Sequence, residues 1–345
     1  MNIGVGIVGA GGASRAHLMA YTQIPDANVV ALCDVNQELC QSTADEFGVP
    51  VCAADFKSLL EDPKIDLVDI CLPTYLHHPV AMAAIQAGKN VLLEKPIAMN
   101  LREADEMIEA AGKVGVKLYV AFNQRLMPVH RKVKEMLTSE EIGRPFLAMG
   151  TIIGDEFARM NQADNWKGTW DRAGGGAFGD SGIHQIDLMN YWFGIPEAIS
   201  LTANRYVVEC EHKAEDTAAA VIEYPGVMVN LVVTYSAIGD DWRETKEIFG
   251  TGGSLHVLNE DSKPLHKAIG KGQNPQIVEV EHFPGSSFGG WWNYSIFKGL
   301  QHFIACLMLD TEPIVTAEDA RLTLKVMLAG YESAKTGRRV KITEI

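Results

Sequence analysis

The stretch GIVGAGGAS, residues 6–14, follows the apolar run IGVGIVG and opens a helical pattern that starts at Ala13. Glycines spaced Gly9-x-Gly11-x-x-Ser14 between a buried strand and a helix leave few choices of local geometry. Gly9 permits a tight turn, and Gly11 lets a phosphate lie against the backbone. The helix start at Gly12 and Ala13 offers unpaired N–H groups and the positive end of a dipole. Ser14 replaces the third glycine of the usual pattern; it is small enough for close helix–strand packing and adds a hydroxyl. In this strand–turn–helix context the spacing is a dinucleotide fingerprint. Asp34 ends the second apolar run, NVVALCD, twenty residues after Ser14. A carboxylate there accepts hydrogen bonds from an adenine ribose and repels a 2′-phosphate, and no arginine follows to soften that repulsion. NAD is therefore the expected cofactor in preference to NADP.

The rest of the first third keeps the same rhythm. Helices over 36–47, 79–88 and 101–115 alternate with apolar runs LVDICL, NVLLEKP and KLYVAF, and Asp55 caps a short helix over FKSLLED. Asn36 is a candidate N-cap, with Gly48 just past the end of its helix. Alternation of this kind makes a parallel, doubly wound sheet with both faces covered. After Phe122 the pattern changes to long strand-like runs, among them FLAMGTII, TAAAVIEY, VMVNLVVTYSA and QIVEVEHF, with helices near 129–137, 179–194, 292–309 and 317–335. The expected architecture is an N-terminal Rossmann domain over 1–123. An α+β domain over 124–345, with a large, open, mostly antiparallel sheet, follows it.

Composition narrows the partners. A formal charge of −14 over 345 residues argues against a nucleic-acid or anionic-membrane surface. No apolar run reaches 18 residues, and the N-terminus lacks a basic leader, so no membrane span or secretory signal is expected. Cys33, Cys40, Cys52, Cys71, Cys210 and Cys306 are scattered without a C-x-x-C and read as buried, reduced thiols of a cytoplasmic protein.

Two further segments carry candidate chemistry. Glu94-Lys95-Pro96 closes an apolar strand on the carboxyl edge of the expected sheet, where ligands of open α/β sheets bind. GDSGIHQIDLMNYWFG, residues 179–194, sets His184 four positions after Asp180 at the mouth of a helix. Asp180 and Ser181 are equally good N-caps, and His184 is equally a core histidine bonded to backbone. An acid and an imidazole on one helix face are also a proton-transfer pair.

These pieces together resemble the Gfo/Idh/MocA oxidoreductase family. The resemblance rests on GAGGASRAH (9–17), CDVN (33–36), CLPTYLHHPVA (71–81), KNVLLEKP (89–96), FNQR (122–125), GGGAFGDSGIHQIDL (174–188) and SAKTGRRV (333–340), which span nearly the whole chain. It implies NAD(P)-dependent oxidation or reduction of a sugar or cyclitol, with no metal, and a catalytic set of Lys95, Asp180 and His184. An imidazole ordinarily titrates near pH ~6.5 and suits removal of a hydroxyl proton. Lys95 can stabilise charge developing on the substrate oxygen. The same match implies cofactor contacts from Leu72, Pro73, Thr74, His77, Glu94, Lys95, Gln124, Trp166 and Lys167, with His77 equally a capping residue. Asn123 and Tyr294 join the catalytic three as substrate contacts, with Trp166 and Tyr294 equally core or interface residues. Asp164, Asn165, Arg172, His256 and Trp291 are weaker substrate candidates, and the loops 155–175 and 260–292 are where specificity is expected. Two other activities stay open at this point: glycoside cleavage through transient oxidation with tightly held NAD, and a non-catalytic dinucleotide sensor. The open sheet face is expected to join copies into a homodimer or homotetramer.

Overall fold

The computed structural model describes residues 2–259, 262–270, 274–281 and 290–345. Chain order begins β1 (Ile3–Val8), α1 (Gly12–Tyr21), β2 (Ala27–Cys33), α2 (Gln37–Phe47), β3 (Val51–Ala53), α3 (Lys57–Glu61), β4 (Leu67–Ile70), α4 (His77–Gln86), β5 (Asn90–Leu93), α5 (Leu101–Val114) and β6 (Leu118–Val120). It continues with α6 (Pro128–Thr138), β7 (Pro145–Ile153), α7 (Phe157–Met160), α8 (Ile183–Phe193), β8 (Ala198–Asn204), β9 (Thr217–Tyr224), β10 (Val227–Thr234), β11 (Arg243–Gly250), β12 (Gly253–Leu258), β13 (Leu265–Ile269) and β14 (Gln276–Ile277). It ends with α9 (Trp291–Leu309), α10 (Ala317–Thr336) and β15 (Val340–Lys341).

Two compact units result. The first contains the residues up to Leu126 together with α9 and the segment through Arg321; the second contains Met127 onward and Leu322–Ile345. In the first unit six strands pair in parallel in the order β3-β2-β1-β4-β5-β6. β1 and β4 carry almost wholly buried residues, as strands covered on both faces must. Local signals set the helix ends. Asn36 Oδ1 accepts from Leu39 N at 3.1 Å, and Gly48 takes the left-handed conformation (φ 69°) that terminates α2. Asn100 and Glu103 cap α5 reciprocally: Asn100 Oδ1 accepts from Glu103 N at 3.0 Å, and Glu103 Oε2 accepts from Met99 N at 3.1 Å. The strand order reverses between β1 and β4, which puts the ligand crevice of such a sheet at their carboxyl ends.

The second unit is a nine-stranded sheet, β14-β13-β12-β11-β7-β10-β9-β8-β15, antiparallel except for the β7–β10 pair. Burial alternates along β9 and β10, so one face is covered and the other is not. α8 lies against β10 and α6, and Trp192 Nε1 donates to His130 O at 3.1 Å. The uncovered positions include Val221 and Met228.

The compact units divide after Leu126, and α9 belongs with the first of them. Phe303 of α9 stacks on Tyr119 with ring centroids 4.4 Å apart, and Asn123 Nδ2 donates to Ser295 Oγ at 2.8 Å. Cys40 and Cys52 are joined as a disulfide, not separate thiols, because α2 and β3 bring their Cα atoms to 6.0 Å. Only Gln276–Ile277 of the QIVEVEHF run pairs as a strand, and residues 282–283 of that run lie outside the described residues, as do 260–261, 271–273 and 282–289 of the 260–292 loop.

Candidate active site

In the first unit the expected cofactor residues gather at the carboxyl ends of β1, β2, β4 and β5. The two roles of the loop glycines separate cleanly. Gly9 has φ 106°, and a Cβ there would lie 2.3 Å from the Cys71 carbonyl oxygen, so the fold itself demands glycine. Gly11 has an ordinary extended conformation (φ −76°) and N-caps α1. A Cβ on Gly11 or Gly12 would meet nothing within 4 Å among the described residues. These residues give no steric reason for glycine at the two positions, whereas a ligand lying against the backbone would. With Ala13 also exposed, the N–H groups of the first turn of α1 face outward, the donor set a pyrophosphate takes. These residues fit a dinucleotide.

Ser14 is buried and its hydroxyl has no hydrogen-bond partner among the described residues, which points to its small size as its contribution. Asp34 Oδ2 accepts from Ala10 N and Oδ1 from Asn36 N, both at 2.8 Å. The carboxylate thus braces the glycine loop and, with one N–H on each oxygen, retains further acceptor capacity. Leu72 and Pro73 follow β4 and lead into a 3-10 turn over Thr74–Leu76. His77 is fully buried, with Nδ1 2.8 Å from Pro96 O and Nε2 2.9 Å from Leu72 O. It ties the loop after β4 to the loop after β5, and burial pushes its pKa below the usual imidazole value. At the end of β5, Glu94 Oε2 accepts from Lys95 N at 3.2 Å, and Glu94 Oε1 lies 3.1 Å from His17 Nε2. Asn123 and Gln124 are buried in a 3-10 turn after β6, and Tyr294 is buried in the first turn of α9.

In the second unit Asp180 sits in a π-helical turn, Phe178–Gly182, that runs into α8. A π turn widens the spiral, so the simple i, i+4 reading of Asp180 and His184 does not carry over; such turns are frequent at functional sites. The side chain does not cap α8. Asp180 Oδ2 accepts from Lys167 Nζ at 2.9 Å and from Tyr235 OH at 2.7 Å, while Ser181 Oγ lies 2.6 Å from the same phenol oxygen. Burial alone would lower the Lys167 pKa; the adjacent Asp180 outweighs it and holds the ammonium above its usual range. Burial and then Asp180 push the Tyr235 phenol well up, so it stays a donor. His184 is buried in the first turn of α8.

Three residues that the sequence reading missed hold this arrangement. Tyr235 follows β10, and strand alternation from Val229, Leu231 and Val233 places it on the buried face; nothing in the sequence names its partner. Glu215 accepts from Phe178 N at 2.9 Å, Gly176 N at 3.1 Å and Tyr331 OH at 2.8 Å, anchoring the Gly174–Gly176 loop that delivers Asp180. A Cβ on Gly176 would lie 1.8 Å from the Glu215 carbonyl oxygen. Lys213 Nζ donates to the carbonyls of Asn165 and Lys167 and so braces the loop carrying Trp166. Of the weaker candidates, Asn165 Oδ1 accepts from Lys167 N at 3.0 Å, Arg172 lies 3.8 Å from Asp171, and His256 lies 3.0 Å from Glu247 on the neighbouring strand.

Comparison with known proteins agrees with these features. Residues 3–122 match the family model described as "Oxidoreductase family, NAD-binding Rossmann fold", and residues 134–342 match its C-terminal alpha/beta domain. A levoglucosan dehydrogenase from Pseudarthrobacter phenanthrenivorans is 29% identical over 304 residues, 79% of this chain and 77% of that protein. A myo-inositol 2-dehydrogenase from Thermotoga maritima is 27% identical over 350 residues, 99% of each. A solved levoglucosan dehydrogenase in complex with NADH and levoglucosan superposes with a TM-score of 0.89 at 25% identity, covering 99% of this chain and all of that one. No helix among the described residues is long and apolar enough to cross a membrane.

Proposed function

This chain belongs to the Gfo/Idh/MocA oxidoreductase family, and from that premise we propose that it is an NAD-dependent dehydrogenase acting on a secondary alcohol of a sugar or cyclitol. The observation that carries the reading is the Asp180 carboxylate, held by Lys167 and Tyr235 just before His184 on the helix start. A fixed carboxylate on the turn that leads into a helix opening with an imidazole supplies groups for removing a hydroxyl proton and for binding a neighbouring hydroxyl.

When bound, NAD supplies the hydride acceptor. His184 takes the proton of the reacting hydroxyl, and Asp180 orients the imidazole or accepts from a second hydroxyl. Lys95 donates to the substrate oxygen and stabilises the negative charge that develops there. The first turn of α1 holds the pyrophosphate, with Gly11 and Gly12 giving it access. Asp34 takes the adenine ribose and disfavours a 2′-phosphate. Leu72, Pro73, Thr74, His77, Glu94, Gln124, Trp166 and Lys167 complete the cofactor set, and Asn123 and Tyr294 the substrate set. Copies associate through the uncovered sheet face that carries Val221 and Met228.

Relatives named for levoglucosan and myo-inositol support the substrate class. The test is a panel of sugars, inositols and anhydrosugars assayed for NADH absorbance, repeated with His184→Ala. Net NADH formation by the native enzyme, with turnover about 100-fold or more lower in the variant and dinucleotide affinity kept, is the expected result. Glycoside hydrolysis without net cofactor change, or dinucleotide binding with no turnover on any substrate, would overturn the reading.

A further inference from the structure

A second buried polar network lies in the first unit and meets the residues assigned above only at Glu94 and Lys95. His17, on the inner side of α1, is fully buried. Its Nδ1 is 2.8 Å from Asp69 Oδ2 in β4, an oxygen that also accepts from Tyr21 OH at 3.0 Å. Its Nε2 is 3.1 Å from Glu94 Oε1 at the end of β5. The Cys71 thiol stands 3.5 Å from Nδ1 and 3.6 Å from Asp69 Oδ1. The network therefore spans α1, β4 and the β5 end, and through Glu94 Oε2 it reaches the backbone N–H of Lys95.

A neutral imidazole donates from only one nitrogen. Here both nitrogens face carboxylate oxygens, so the ring serves both only as an imidazolium. Asp69 lies in the middle of a buried strand and needs a cation beside it, since an unpaired buried carboxylate is strongly disfavoured. Burial would strip the ring of its charge; the Asp69 carboxylate outweighs burial and holds the proton well above the usual imidazole range. Burial and Asp69 also push the Cys71 thiol up to about 12, so the sulfur keeps its proton.

We propose that His17 is a positioning residue: a buried imidazolium clamp that fixes the Glu94 carboxylate and thereby the Glu94–Lys95 corner. This rests on the reading of Lys95 and Glu94 given above. The sulfur, imidazole and carboxylate atoms of His17, Asp69 and Cys71 also lie within 4.8 Å of one another, close enough to share a metal ion. Two nitrogens at N–H···O distances from two carboxylates, beside a protonated thiol, favour the hydrogen-bonded arrangement. The two carboxylate links of the ring have different jobs. The Nδ1 link to Asp69 satisfies a buried charge and serves stability. The Nε2 link to Glu94 serves placement.

Substitutions separate the two links. The amide of His17→Asn can reach the Nδ1 position, and that of His17→Gln the Nε2 position. His17→Asn is expected to keep the higher Tm of the two yet lose about tenfold or more in NADH affinity by fluorescence titration. His17→Gln is expected to melt lower yet bind NADH within about threefold of the native protein. A merely structural role reverses this, with NADH affinity following Tm, and that result overturns the inference. Nitrogen-15 spectra of histidine-labelled native protein without ligand give an independent reading. Two protonated ring nitrogens on His17 at pH 7, with Glu94→Gln moving chiefly the Nε2 signal, are expected; a neutral tautomer, or one equivalent of metal in the purified protein, overturns the clamp. Lys95→Met separates the two levels of the argument. If it leaves both turnover and NADH affinity unchanged, the role given to Lys95 has failed, while the nitrogen spectra still decide whether the clamp exists.

Discussion

Tyr235 donates its phenol proton to Asp180 Oδ2 at 2.7 Å, the oxygen that Lys167 Nζ reaches at 2.9 Å. The hydroxyl comes from the strand side and the ammonium from the loop after Asn165, so the carboxylate is held from two directions before any substrate arrives. Preorganisation of this kind matters when charge has to be stabilised without rearrangement. Tyr235→Phe keeps the ring and removes one hydrogen bond to a charged group, an interaction of roughly 1.5–3 kcal/mol. The expected outcome is a fall in kcat of about 10- to 100-fold, with a shift in Tm much smaller than a core truncation gives. Burial and Asp180 keep the phenol protonated well above its usual range. The native pH–rate profile therefore keeps its shape in the variant, and only its height changes. A change in the profile's midpoint would mean that Tyr235 itself titrates in turnover.

Gly9 and Gly11 sit two residues apart and are glycine for different reasons. Gly9→Ala forces a Cβ to within 2.3 Å of the Cys71 carbonyl at a φ that favours glycine, so the strand–helix turn must distort. Overpacking of that kind costs about 1–3 kcal/mol or more, and the apo protein is expected to melt lower. Gly11→Ala meets nothing in the protein. Its apo Tm is expected to stay within a degree or two of native, while NADH affinity drops about tenfold or more because the methyl occupies the space of the pyrophosphate. Differential scanning fluorimetry and NADH titration on the two variants separate the cases. A Gly11→Ala protein with native NADH affinity would sink the phosphate assignment.

What could be read directly from the residues was local. The glycine turn, the Asn36 cap with Gly48 beyond it, and the strand–helix alternation each need only a dozen neighbouring residues, and each appears in the structure. What escaped was non-local. Periodicity puts Tyr235 on a buried face but is silent about Asp180, 55 positions earlier. The apolar spacing of α9 predicts a helix without saying that Phe303 returns to stack on Tyr119 in the first unit. β3 is three residues long, too short for alternation to register, and its pairing with β2 is what carries Cys52 to Cys40. The π turn at Phe178–Gly182 is a fourth case. The helical pattern over 179–194 does not reveal the widened turn at its start, and the Glu215 carboxylate that caps the segment lies in another strand's approach.

The ribose role proposed for Asp34 is tested by comparing NADH with NADPH. With one N–H on each oxygen, from Ala10 and Asn36, the carboxylate is fixed in place and cannot swing away from a 2′-phosphate. Bringing two anions together costs several kcal/mol, so the native enzyme is expected to favour NADH over NADPH by about 100-fold or more in Kd. Asp34→Ser should lose most of that discrimination, chiefly by gaining NADPH affinity. It should also lower the Tm modestly, since the Ala10 N–H loses its acceptor. A native preference for NADPH would contradict the ribose assignment outright.

The charge on His17 has a consequence for stability that carries a definite sign. The groups facing the ring are Asp69 on β4, Cys71 just beyond it and Glu94 at the end of β5, with Tyr21 on α1 donating to Asp69. Burial lowers the folded-state pKa, but Asp69 and then Cys71 outweigh it and leave it well above the usual imidazole value. In the unfolded chain the ring titrates near pH ~6.5. Below that value both states carry the proton and the stabilisation is fully present. As the pH rises above it, the unfolded chain releases its proton while the folded chain keeps it, so stability declines until the folded pKa is passed. His17→Asn has no titrating ring and lacks this contribution at every pH. The Tm gap between native protein and variant is therefore expected to be widest near pH 6 and to narrow as the pH is raised through 8 and 9. Melting both proteins across that range at constant ionic strength checks it. A gap that stays constant would mean that the folded and unfolded pKa values of the ring coincide, and a gap that widens with pH would mean that the folded pKa lies below the unfolded one, as for a ring buried neutral.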